Sequence, residues 1–244
     1  MKAAINSFLS LAVNLTASAS LAGHSVNYLP EKIDLGKAIN FNRSVSEINY
    51  EVDEHSFALT EDGALFFLEA DRTFIYGGER SELAFFSPYQ IGDSVTYDFT
   101  FQLRKSSSFS MGWSCGWVLF AQWHDQPVKN RGETWATFPK NSPPFSYQLF
   151  FEDELRVGIV ARNSQFMFPV ELEIPVSCST TVTWQYPEDG KVKGFCTQGD
   201  NTYAFNFNDV VMLNDYYHYF KFGLYRKRTI NDFMAIELIK LNIY

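Results

Sequence analysis

Tyr219-Phe220-Lys221-Phe222-Gly223-Leu224-Tyr225-Arg226-Lys227 sets aromatic and aliphatic side chains in alternation with polar ones and glycine. In a β-strand successive side chains point to opposite faces. Tyr219, Lys221, Gly223 and Tyr225 then share one face, and Phe220, Phe222 and Leu224 share the other. The second set is core material. The first contains an ammonium, which is costly to pack away without a partner. That face is therefore expected to line a groove for an anionic ligand.

Two segments further up the chain follow the same pattern. Trp117-Val118-Leu119-Phe120-Ala121-Gln122-Trp123-His124 is an apolar run that ends with Gln122 and His124 two apart, on one face of a strand. Arg80-Ser81-Glu82-Leu83 opens another strand, with Arg80 and Glu82 similarly placed. Separate strands would thus each bring polar groups to one surface.

Together and in this order, Arg80-Ser81-Glu82-Leu83, Gln122-Trp123-His124 and Tyr219 to Tyr225 resemble the signature of the β-jelly-roll polysaccharide lyases, the group that holds alginate, glucuronan and heparin lyases. The resemblance runs from about Glu79 to the C-terminus and includes Pro143-Pro144 and a strand-turn-strand around Trp184. It implies an all-β, concanavalin-like jelly roll of two antiparallel sheets, the concave one forming the substrate groove. It also implies cleavage of a uronate-containing acidic polysaccharide by β-elimination. Arg80 and Gln122 would neutralise the uronate carboxylate, and His124 and Tyr225 would move the protons. Tyr225 would be the acid, and either residue the base, depending on stereochemistry at C5. Lys221 would hold substrate charge, Glu82 would orient Arg80, and Tyr219 would pack at the groove edge. Gly223 would let a sugar approach the backbone. Many alginate lyases have Ala and Gln where this chain has Phe222 and Lys227, which moves it toward the glucuronan and heparin branches and leaves the sugar open.

The composition is compatible. A chain of 244 residues with 46% hydrophobic content suits one sandwich domain, expected over residues 23–244. Aromatics reach 17%, which favours strands and could also serve sugar stacking. A formal charge of -8 argues against general nucleic-acid binding. A polyanionic sugar would need a locally basic groove, for which Lys129, Arg131 and Arg226 are candidates beside Arg80 and Lys221. No organic cofactor is implied. The family leaves room for a structural calcium ion, but no ligand cluster identifies one. The expected partner is the polysaccharide alone, with a monomer favoured and no membrane span.

Three cysteines make no disulfide framework. A hairpin turning at Asp189-Gly190 would set Cys196 about four residues, or ~13 Å, from the position opposite Cys178. A bridge needs Cα atoms within about 7 Å. Reduced, buried thiols are therefore expected.

Residues 1–22 combine Lys2, the apolar Phe8 to Val13 and the small-residue run Ala17 to Ala22, as a secretory signal does. They also fit one face of a retained helix. The first reading places the protein in a secreted or periplasmic setting, while the second leaves a cytoplasmic or phage-borne one open. From Phe57 onward short strand-like runs alternate with turn residues, and Ser94 to Arg104 is the cleanest alternation. Asp125 to Pro144 is a long polar connection, read as a lid or groove wall.

Other chemistries are weaker. Gly112-Trp113-Ser114-Cys115-Gly116 matches a hydrolase elbow, but a strand follows it where a helix is required. Glu152-Asp153-Glu154 resembles the clustered acids of sandwich-fold glycosidases, yet falls where a turn is expected. The remaining alternative is a non-catalytic acidic-polysaccharide-binding module of the same fold. It would have no use for both His124 and Tyr225.

Overall fold

A computed structural model describes residues 39–41, 47–52, 55–69, 74–75, 78–89, 91–108, 117–134, 136–137, 143–162, 164–212, 215, 218–227, 230 and 232–244. The signal-like segment 1–22 and the Gly112-Trp113-Ser114-Cys115-Gly116 motif lie outside the described residues, so neither reading is addressed.

In chain order the strands are β1 (Ile39–Phe41), β2 (Glu47–Glu51), β3 (Phe57–Leu59), β4 (Ala64–Leu68), β5 (Phe74–Ile75), β6 (Gly78–Tyr89), β7 (Ser94–Leu103) and β8 (Val118–Asp125). They continue with β9 (Phe145–Phe151), β10 (Leu155–Ala161), β11 (Ser164–Pro169), β12 (Val176–Thr183), β13 (Gly190–Gln198), β14 (Asn201–Val210), β15 (His218–Arg226) and β16 (Met234–Ile243). They form two sheets. One runs β14-β13-β12-β7-β16-β4-β3, with β1 also on β16; the other runs β11-β10-β9-β8-β15-β6-β2, with β5 also on β6. The pairings are antiparallel apart from β1, which lies parallel to β16. This is a jelly-roll sandwich, in which the chain passes repeatedly between sheets and buries one face of each.

Alternation decides which residues go inside. On β7, Val95, Tyr97, Phe99, Phe101 and Leu103 are buried, while Thr96, Asp98, Thr100 and Gln102 face outward. Across from them Thr183, Thr181 and Ser177 form hydroxyl pairs with Ser94, Thr96 and Thr100, so this outer face is a polar surface open to water. On β15, Phe220, Phe222 and Leu224 enter the core as the strand period requires. Phe99 meets both Phe220 and Phe222 with ring centroids about 6 Å apart, and Trp123 packs on Phe220 at 4.7 Å. Much of the aromatic content is therefore spent between the sheets.

The hairpin β12–β13 corrects one expectation. Cys178 stands directly opposite Cys196, their Cα atoms are 4.1 Å apart, and the two form a disulfide. Register is set by the centre of the turn. The connection spans Trp184 to Asp189, centred on Pro187 rather than on Asp189-Gly190, and that shift brings the cysteines into one row. Glu152-Asp153-Glu154, by contrast, is the exposed turn between β9 and β10 that its sequence suggests.

Candidate active site

The outer faces of the two sheets differ. On the β2-containing sheet, β6, β8 and β15 are buried on both sides through most of their length, and the outward set includes polar residues: Arg80 (7% exposed), Glu82 (0%), Gln122 (2%) and Lys221 (4%). Buried polar groups on an outer face mark a recess.

Register assembles this recess from distant parts of the chain. Between β15 and β8, Tyr219 pairs with His124 and Lys221 with Gln122. Between β15 and β6, Gly223 pairs with Glu82 and Tyr225 with Arg80. One strand further out, Glu51 of β2 stands opposite Glu82.

The charges neutralise one another in a connected network. Lys221 Nζ donates to both carboxylate oxygens of Glu51, at 2.8 and 2.9 Å. Arg80 Nη1 donates to Glu51 Oε2 and lies 3.3 Å from Glu82 Oε2. Gln122 Nε2 donates to Glu82 Oε1 at 2.5 Å. The Arg80 guanidinium also sits 3.9 Å from the centre of the Tyr225 ring, and Lys221 Nζ is 5.6 Å from that of Tyr219.

The electrostatic consequences differ from group to group. Burial acts against the Glu51 carboxylate, but Lys221 and Arg80 overcome it and hold it below the usual carboxylate range. Glu82 is fully enclosed, and burial pushes it up despite Arg80 and Lys221. Burial opposes the Arg80 guanidinium too, yet Glu82 and Glu51 keep it firmly protonated. Burial, reinforced by the nearby Arg80 charge, pushes Lys221 down. Burial and the Glu51 charge push the Tyr219 phenol well up, so Tyr219 stays a neutral donor.

Tyr225 and His124 are the more accessible members, both half-buried. Tyr225 packs against Trp117, with ring centroids 4.6 Å apart, and on Arg80. His124 Nδ1 lies 2.8 Å from the Asp125 carbonyl oxygen and 2.9 Å from Asp125 Oδ1. Its ring leans toward Tyr219 at 5.8 Å. The two do not touch: Tyr219, the partner of His124, is six positions from Tyr225, or ~20 Å along an extended strand. They flank the charged floor from opposite ends.

The structure therefore brings Arg80, Glu82, Gln122, Lys221, Tyr219, His124 and Tyr225 to one face. It does not bring Arg226 there. Arg226 follows Tyr225 and so shares the core face with Leu224; it is fully buried, bonded through Nε to Glu79 at 2.5 Å and through Nη2 to the Glu69 carbonyl at 2.7 Å. Its expected part in substrate binding is corrected to a structural one. Lys129 and Arg131 lie on a 3-10 turn, Lys129–Arg131, in the connection after β8, exposed to solvent. There Arg131 forms a two-pronged pair with Asp215 at 2.6 and 2.9 Å, tying that connection to the one before β15.

Gly223 also has a reason within the fold itself. A Cβ there would meet the Ser81 carbonyl oxygen at 2.1 Å and the Glu82 Cα at 2.6 Å, and its φ is +146°. The close approach is that of β6. Gly223 also falls where β15 gains one residue on β8, so it accommodates a bulge.

Sequence reasoning missed Glu51, Asp125 and Trp117 as members of the site. Glu51 is an acid in an edge strand without a distinguishing motif, and its role emerges only when β2 is laid against β6. Among the described residues no group of three or more His, Cys, Asp or Glu is arranged to hold a metal. The acids of the floor are already held by Arg80, Lys221 and Gln122, so a calcium ion does not fit here.

Comparisons with known proteins agree with this architecture. In solved structures the fold is similar to endo-β-1,4-glucuronan lyase of the fungus Trichoderma reesei, at 12% identity and a TM-score of 0.54, covering 82% of this chain and 95% of that one. It is likewise similar to a PL-14 alginate lyase of Aplysia kurodai, at 12% identity and a TM-score of 0.52, covering 82% and 91%. The alginate lyase Aly36B matches at 8% identity and a TM-score of 0.50, covering 80% and 86%. No curated protein matches the chain in sequence. A family profile described as polysaccharide lyase matches residues 49–236, from β2 through all the strands of the site, and the chain belongs to the polysaccharide lyases.

Proposed function

We propose that this lyase cleaves a uronate-containing polysaccharide by β-elimination in the recess between Tyr225 and His124. The observation that carries the reading is the charged floor: Arg80 and Lys221, paired with Glu51 and Glu82, lie beneath the face on which Tyr225 and His124 stand.

The C5 proton of a uronate is hard to remove while the neighbouring carboxylate keeps its full negative charge. The tips of Arg80 and Gln122, with Lys221 behind them, are placed to share that charge as it spreads in the transition state. The deprotonated oxygen of Tyr225 takes the C5 proton, while His124, at the other end of the floor, is out of reach of that carbon and faces a neighbouring part of the polymer. Electrons of that C–H bond form the C4–C5 double bond, the C4–O bond breaks, and the departing oxygen takes a proton from Tyr225. The guanidinium against the Tyr225 ring stabilises negative charge on it as the proton moves. No organic cofactor enters this chemistry. The solved lyases of similar fold act, by their names, on glucuronan and alginate, which supports a uronate substrate.

The Cys178–Cys196 bridge supports an oxidising setting, secreted or periplasmic.

The test is ultraviolet absorbance during incubation with glucuronan, alginate and heparin, since elimination leaves a conjugated unsaturated uronate and hydrolysis does not. A rise on one polymer that Tyr225→Phe abolishes supports the reading. Tight binding without any rise would favour the binding module, and new reducing ends without absorbance would favour a glycoside hydrolase.

A further inference from the structure

We propose that Phe150, resting on Gly158, is the platform of a further sugar-binding subsite, one that takes a pyranose ring of the polysaccharide chain by its apolar side. This rests on the reading that the polymer runs over the face carrying Tyr225.

Phe150 belongs to that face by strand parity. Ser146 of β9 pairs with Gln122, and Gln148 and Phe150 follow at two-residue steps on the same side. The core instead takes Phe145, Tyr147 and Leu149 from this strand. A half-buried phenylalanine on an outer face is not accounted for by packing between the sheets.

Its support is specific. A Cβ added at Gly158 would meet Phe150 Cε2 at 2.3 Å and Cδ2 at 2.8 Å, so the ring occupies the space that any side chain at 158 would fill. The ring thus leans across the β9–β10 gap onto bare backbone. Met167, paired with Gly158 on β11, is 41% exposed and continues the apolar surface. Arg156, the partner of Phe150 on β10, is exposed and held by Glu154 at 2.6 Å. An apolar plate with a solvated guanidinium beside it suits a uronate ring, with its carbon-bound hydrogens on the plate and its carboxylate exchanging with Glu154 for Arg156.

The position fits the same chain of sugars. Leu149 pairs with Val118, which sets Phe150 beside Trp117, and Trp117 packs on Tyr225. Gln148 thus lies two strand spacings from Tyr225 and Phe150 two residues further along, which puts Phe150 ~12 Å from Tyr225, about the length of two sugar rings.

The experiment measures binding and cleavage separately, with disaccharides and hexasaccharides of glucuronan and alginate. Calorimetry is done in a Tyr225→Phe background so that the ligand is not consumed. Phe150→Leu keeps apolar volume but removes the flat ring, and Phe150→Trp restores one. The expected result is that Phe150→Leu weakens hexasaccharide binding about three- to tenfold, leaves disaccharide binding unchanged, and is rescued by Phe150→Trp. Equal hexasaccharide affinity in all three overturns the subsite and leaves the lyase reading intact. The expected affinity pattern without any absorbance rise in the unmodified protein supports the subsite and removes the elimination reading. Absence of binding by any of these oligosaccharides removes both.

Discussion

Glu51 holds two cations in the floor of the recess, and its removal exposes what each of them does. Glu51→Gln removes the carboxylate charge that both Lys221 and Arg80 contact. Breaking a buried charge pair costs about 3–5 kcal/mol, and urea unfolding should show a loss of that order; a change below about 1 kcal/mol would mean the network is slack. The two acids also differ in pH response. The Glu51 carboxylate is held below its ordinary value in the folded protein, so its contribution to stability is present above the unfolded value of about 4.3 and is lost as pH falls through the folded one. Glu82 is raised, so it has the opposite sign: its share is complete at low pH and is lost as pH rises through the folded value. Carboxyl-carbon NMR should therefore see Glu82 take up its proton at higher pH than Glu51, and the reverse order would contradict the burial argument. Arg226 shows how charge can mislead at this scale. Its parity with Leu224 was legible in the strand pattern, and the pattern decides: a cation in a core position finds Glu79 rather than a substrate.

At the level of elements, β15 is the strand on which both functions meet, and it was readable because period-two alternation needs only the sequence of one strand. Its partners required more. Arg80 and Gln122 announced themselves by motif, whereas Glu51 depends on the pairing of β2 with β6 across a long connection, which no local pattern encodes. The β12–β13 hairpin was misread for a related reason: a turn of several residues leaves its centre undefined, and a shift of two or three positions decides whether Cys178 and Cys196 meet. Since they do, joining residues 18 apart in sequence, reduction is expected to cost about 3 kcal/mol in the loop-entropy picture. Thermal unfolding with and without reductant measures this, and an unchanged midpoint would contradict it. Gly223→Ala should be worse than its size suggests, because the added methyl meets the β6 backbone at 2.1 Å. Loss of folded yield, and not merely of activity, is the expected outcome; a stable variant would show that β6 can yield.

For the whole molecule, the two sheets divide the work. One presents a hydroxyl-covered outer face to water, while the other turns its outer face into a recess in which charged residues are buried and phenol, imidazole and aromatic rings are left within reach. The sandwich class was legible from evenly spaced short strands, and the site face from three motifs in order. The placement of Phe150 on Gly158 was not legible in either, because it depends on the pairing of β9 with β10 and carries no motif. Elimination and hydrolysis in this recess would leave products of different mass. The most direct measurement is mass spectrometry of the products released from glucuronan or alginate. Fragments lighter by one water than hydrolysis would give are expected from the unmodified protein and not from Tyr225→Phe. Release of fragments that all carry the full mass of hydrolysis products would contradict elimination.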